Sequence, residues 1–261
     1  MTAPKRIFTI TAGRTGTAWL ADFFDTNLAG YHCVHEPLGV FDFGRTMPDI
    51  RIMRAFNEYG NCDAVKEFWA GKFAVVREHE RYAETNHTLC KCGLVENLAD
   101  SDIADGTTLI ILRRDRVKQC VSYINREDFG NITIPWQWYL HPSYKNLIVN
   151  PKPFLQMGPL GMPLWYTYEM DARQEYYRQK FGARLNFIEV DLETATTEQG
   201  ARQFWSDLGF DGACTLPPPK NENVGPSNPE VTDTVAQVVA KVNFDAAEIV
   251  SGYLAAGRSL V

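Results

Sequence analysis

The sequence has no apolar run approaching the roughly 18 residues that a membrane-spanning helix requires, so no span is expected. It also lacks blocks of like charge. Its 26 basic and 32 acidic residues are dispersed over 261 positions, for a formal net charge of −6. That pattern argues against a broad surface for nucleic acid or an anionic membrane, so an anion site has to be local. Cys33, Cys62, Cys90, Cys92, Cys120 and Cys214 have none of the paired spacings of a zinc site, and no metal is expected. They read as reduced thiols occupying small apolar niches. No cleavable leader pattern precedes residue 7, and a cytoplasmic location is the expectation. No internal repeat is visible.

What is present is enough apolar content, 45%, to bury a substantial core, and one domain over residues 1–261 is expected. Residues 7–10 form a short β-prone run that enters Thr11-Ala12-Gly13-Arg14-Thr15-Gly16-Thr17, a turn of small and polar residues. Trp19, Leu20, Phe23 and Phe24 follow at helical spacing, which completes a strand, loop, helix unit. A second unit begins with the apolar run 109–112 and continues through Arg113-Arg114-Asp115-Arg116. Val117, Cys120, Val121 and Ile124 then share one helix face, which turns Ser122 away from it.

Residues 185–190 read as a third strand, preceded by a helix over 165–181. The alternation predicts an α/β fold: a single domain whose central parallel sheet is flanked by helices, with ligands at the carboxyl ends of its strands. A stretch rich in proline and aromatics, 129–161, reads as an insertion or lid over the sheet edge. It includes Pro135, Trp136, Trp138 and Tyr139, whose rings could line an acceptor pocket or form core. Pro217-Pro218-Pro219 interrupts the chain before a last helical region.

The first loop differs from the nucleoside-triphosphate P-loop where chemistry matters. After Gly16, that motif needs lysine and then a magnesium-binding hydroxyl, but Thr17 and Ala18 stand there. The cation comes earlier, at Arg14. Such a loop still suits a phosphate or sulfate, bound by backbone N–H groups and a guanidinium.

In this form it resembles the 5′-phosphosulfate loop of the sulfotransferases that use 3′-phosphoadenosine-5′-phosphosulfate (PAPS), commonly Thr-x-x-Lys/Arg-Ser/Thr-Gly-Thr. The likeness continues through Ala18, Trp19 and Leu20. It implies that Arg14 faces the sulfonate and bridging oxygen, that Thr15, Gly16 and Thr17 hold the 5′-phosphate, and that Trp19 lies against the adenine. The family reads the 3′-phosphate with an arginine and a serine eight positions apart. Arg113 directly precedes Arg114, but Arg114 and Ser122 have that separation, and the spacing favours Arg114. Lys220 and Asn221 stand where the family often adds a mobile basic stretch over the 3′-phosphate. The resemblance runs in order over residues 6–191, and implies a P-loop-like sulfotransferase fold, a nucleotide-binding transferase and PAPS as co-substrate.

Two residues are candidates for the group that takes the acceptor's proton. Glu36, in His35-Glu36-Pro37, resembles a catalytic glutamate of several branches of the family, and His87 lies roughly where the cytosolic branch places its histidine. Imidazole has the better resting pKa, whereas a glutamate needs burial to raise its own. Both stay open here. The acceptor, a small molecule, glycan or lipid carrying a hydroxyl or amine, is not specified. Two other functions fit a strand, loop, helix chain: a P-loop kinase or nucleotide hydrolase, and a catalytically silent nucleotide-binding protein of the same fold.

Overall fold

The computed structural model describes residues 3–130, 139–218 and 228–260. In chain order the elements are β1 (Arg6–Ile10), α1 (Thr17–Asn27), β2 (His32–His35), α2 (Ile50–Tyr59), α3 (Asp63–Arg77), β3 (Tyr82–Thr85), α4 (Leu94–Ala99), β4 (Thr107–Arg113) and α5 (Arg116–Asn125). There follow α6 (Lys152–Leu155), α7 (Gly161–Phe181), β5 (Asn186–Asp191), α8 (Leu192–Ala195), α9 (Glu198–Asp207), α10 (Pro229–Val239) and α11 (Ala246–Ala255). The strands form one parallel sheet in the order β2-β3-β1-β4-β5. This is the α/β architecture expected from the alternating pattern.

Period-two alternation divides the central strands between two cores. Phe8, Ile10, Leu109 and Ile111 face a larger core shared with α7 and the helices around it. Ile7, Ile110 and Leu112 face a smaller one with α1 and α9, built on Phe23, Phe24, Phe204 and Trp205. Burial on both faces explains why β4 reads as a continuous apolar run.

The chain leaves β1 to build β3 and β2 on one side and then crosses to build β4 and β5 on the other. Connections from neighbouring β1 and β4 therefore diverge, and a crevice opens between them at their carboxyl ends. Both polar loops singled out in the sequence fall there.

Two strands, β2 and β3, go beyond the sequence reading. β3 is wholly buried yet carries Glu84, because Lys72 of α3 pairs with that carboxylate at 2.7 Å and Tyr82 donates to it at 2.7 Å. A polar buried strand of this kind has no apolar signature.

The helix expected over 165–181 begins earlier, at Gly161. The described part of the stretch expected as an insertion or lid, residues 129–130 and 139–161, packs on the larger core through Leu140, Leu147, Ile148 and Val149. Glu169 of α7 holds it by accepting from the N–H groups of Ile148 at 3.0 Å and Val149 at 2.7 Å. Pro135, Trp136 and Trp138 lie outside the described residues.

Candidate active site

The loop between β1 and α1 depends on left-handed backbone at Gly13 (φ 87°), Arg14 (φ 56°) and Gly16 (φ 91°). At Gly16 a side chain is excluded twice, by this conformation and by Leu192, whose Cδ1 would lie 2.5 Å from an added Cβ. The loop's carbonyls are turned outward and tied down. Gln174 donates to Ile10 O at 3.0 Å, Tyr166 to Ala12 O at 2.7 Å, Tyr123 to Gly13 O at 2.7 Å and Arg114 to Arg14 O at 2.9 Å. Among the described residues nothing accepts from the N–H groups of residues 13–18. Helix α1 also begins without a side-chain cap and without an acidic residue in its first turn. Loop and helix start together supply a set of donors suited to an anion.

The second element comes from β4 and α5. Asp115 caps α5 by accepting from the N–H of Lys118 at 2.9 Å. Arg113 turns toward β5, 3.2 Å from Glu189, whereas Arg114 turns toward the first loop. Arg114 is thus the one of the two adjacent arginines that touches the first loop. The Nε of Arg114 is buried without a hydrogen-bond partner. Ser122 receives a hydrogen bond from Nε of Arg14 at 3.0 Å, so the two elements, 108 residues apart, meet directly. Burial lowers the pKa of Arg14, with Arg126 acting in the same direction. Thr15, Arg113, Arg114, Arg116, Gln119 and Asp191 line part of the cleft at the ends of β4 and β5.

Glu36 and His87 also belong here. Glu36 directly follows β2 and has positive φ, 39°, with its N–H donating to Thr85 O at 3.3 Å. His87 lies two residues beyond β3, and its ring packs against Gly13. Because β2 and β3 are parallel neighbours, their carboxyl ends bring His87 Nε2 to 3.9 Å from Glu36 Oε1. Burial raises the pKa of Glu36, against the opposing pull of His35 and other cations nearby. For His87 burial holds the pKa well below the ordinary imidazole value, reinforced by the charge of Lys91.

Lys91 was not singled out from the sequence. It closes a short 3-10 turn, Leu89–Lys91, and is completely buried. Its Nζ lies 2.9 Å from His87 Nδ1 and 2.9 Å from the hydroxyl of Tyr166. The only local signal is one charge set between Cys90 and Cys92 in an otherwise apolar stretch. Tyr139, from the aromatic stretch noted in the sequence, stacks its ring on His87 with centroids 5.6 Å apart.

No family model matches the chain, and no curated protein matches it. Among solved structures, a sulfotransferase from Alicyclobacillus acidocaldarius superposes with a TM-score of 0.48 and 12% sequence identity, over 99% of this chain and 98% of that one. So distant a likeness says nothing about activity.

Of the remaining sequence candidates, Thr15 and Thr17 are buried in the loop and Ala18 is half-buried. The hydroxyl of Thr15 is paired with that of Thr11, which also donates to Leu112 O at 3.0 Å. Trp19 is 6% exposed and stacks on Phe23, centroids 5.4 Å apart, so most of its ring belongs to the smaller core. Lys220 and Asn221 lie outside the described residues. Among the described residues no cluster of three or more His, Cys, Asp or Glu could hold a metal ion, and no helix is long and apolar enough to cross a membrane.

Proposed function

We propose that the chain transfers a sulfuryl group from PAPS to a hydroxyl or amine acceptor. The observation that carries this reading is the contact of Arg14 with Ser122, made beside Arg114 at the β1/β4 crevice. It supports reading the two elements as one site for a ligand with two separate anionic groups. The 5′-phosphosulfate would take the N–H groups of residues 13–18 and the terminal nitrogens of Arg14. The 3′-phosphate would take Arg114 and Ser122. The unengaged loop amides fit such a ligand.

Chemistry follows from the residues at the other side of the loop. The acceptor's lone pair attacks sulfur, and the bond between sulfur and the bridging oxygen breaks. The electron pair stays on the 5′-phosphate, where Arg14 and the loop amides meet the developing charge. The acceptor's proton passes to Glu36, which burial has made a better base than an ordinary carboxylate. The products are the sulfated acceptor and 3′-phosphoadenosine-5′-phosphate. A triphosphate reading is less well served, because Thr17, buried, stands where that chemistry needs a lysine.

Calorimetric titration with 3′-phosphoadenosine-5′-phosphate, beside AMP and beside ATP with magnesium, tests the reading. Metal-independent binding that needs the 3′-phosphate and is lost in Arg114→Ala is expected. Preference for ATP with magnesium would instead favour phosphoryl transfer. Binding without sulfuryl transfer to any class of acceptor would mark a silent nucleotide binder.

A further inference from the structure

Beneath Glu36 and His87 lies a chain of polar groups with a definite direction. The hydroxyl of Tyr166 donates its one proton to Ala12 O at 2.7 Å, so its contact with Lys91 Nζ at 2.9 Å must be one in which the lysine donates. An ammonium has three protons and no lone pair, so the His87 Nδ1 at 2.9 Å must likewise accept from it. A neutral imidazole that accepts at Nδ1 carries its proton on Nε2. That nitrogen is the one facing Glu36 Oε1, at 3.9 Å. The rings of Tyr139 and Tyr166 lie 5.2 and 5.5 Å from Nζ and offset part of the cost of burying its charge.

We infer that Lys91 is a positioning residue that fixes His87 as its Nε2–H tautomer, so that the imidazole presents a proton to Glu36 and leaves the carboxylate to receive the acceptor's proton. The consequence for turnover rests on the sulfuryl-transfer reading, whereas the tautomer is a property of the chain alone. Burial agrees with this order of roles: it draws Lys91 down to about 8, still mostly charged at neutral pH, and keeps His87 neutral. In the opposite tautomer His87 would offer a lone pair to the carboxylate, and the two acceptors would repel.

The test is a long-range proton–nitrogen correlation spectrum of the full chain with labelled histidine. The chain has five histidines, and the His87 signals are identified by their loss in His87→Gln. The expected result is the Nε2–H tautomer in the parent protein, with a shift toward Nδ1–H in Lys91→Met and retention in Lys91→Arg. Nδ1–H in the parent would overturn the inference without need of any variant, and so would an unchanged tautomer in folded Lys91→Met. In a transfer assay, kcat of Lys91→Met should fall about tenfold or more while affinity for 3′-phosphoadenosine-5′-phosphate is retained. Unchanged kcat would overturn the functional half. If the chain transfers no sulfuryl group, the spectrum still decides the tautomer, so the two failures remain distinct.

Discussion

Arg114 Nη1 donates to the backbone carbonyl of Arg14 at 2.9 Å, so the arginine that ends β4 holds the main chain of the loop that follows β1. Arg14 in turn reaches back with Nε to Ser122 on α5. The contact is reciprocal, and each element positions a charged or polar group of the other. Such coupling predicts that damage on one side will be felt on the other.

Ser122→Ala removes one hydroxyl and should weaken binding of 3′-phosphoadenosine-5′-phosphate roughly tenfold, about 1.4 kcal/mol. Arg114→Ala removes a charged donor together with the support of the loop, and should cost about 100-fold. Because Arg114 holds the loop's main chain and Ser122 only the Arg14 side chain, AMP binding should also weaken, more in Arg114→Ala than in Ser122→Ala. Calorimetry on both ligands separates the effects. Equal losses for AMP in both variants would contradict the arrangement.

Gly16→Ala meets a left-handed backbone and the side chain of Leu192 at once. The change should destabilise the fold by about 1–3 kcal/mol and impair anion binding. Adding Leu192→Ala should relieve the steric part and leave about 1 kcal/mol from the backbone. Urea denaturation of the single and double variants reads this directly. No recovery in the double variant would show that Leu192 is not the obstruction.

The pH dependence of transfer has a sign fixed by burial. Glu36 must be ionised to act as base, and its raised pKa moves the acidic limb of kcat above the usual carboxylate range. Activity should therefore fall as pH drops through that limb. Glu36→Gln should lose the limb along with about 100-fold or more in kcat. On the basic side, loss of the Lys91 proton near pH 8 should lower kcat, and Lys91→Arg should move that limb upward.

Glu96, in α4, gives a stability prediction unconnected with catalysis. Burial pushes its carboxyl from 4.5 up to about 7, against an opposing pull from Arg173. The folded state thus keeps a proton that the unfolded chain releases. Its contribution is fully present below pH 4.5 and is lost as pH rises to about 7, a swing of about 3 kcal/mol. Relative to the parent, Glu96→Gln should gain stability over that window and then level off. Denaturation midpoints of the two proteins that run parallel from pH 4.5 to 7.5 would contradict this.

The sequence by itself determined the elements whose causes are local. The apolar runs of β1 and β4, the small residues after β1 and the helical spacing in α1 and α5 are all short-range signals. They were sufficient to predict a parallel α/β sheet, and the family resemblance of the two loops they frame selected Arg14, Gly16, Arg114 and Ser122. Short β2 carries two histidines at a sheet edge, and β3 carries a buried glutamate, so neither shows the apolar pattern of a strand. Only the tertiary structure supplies Lys72 for Glu84 and thereby permits that strand. It puts Arg114 on the loop and Arg113 on Glu189 of β5, the register that the spacing to Ser122 favours. It alone gathered Glu36, His87, Lys91, Tyr139 and Tyr166 around one cluster, because parallel strands and packed helices align groups from distant parts of the chain. Periodicity in a sequence reports which face of an element is apolar. Which polar groups meet at the ends of those elements depends on strand order, and that is set by packing of the whole sheet.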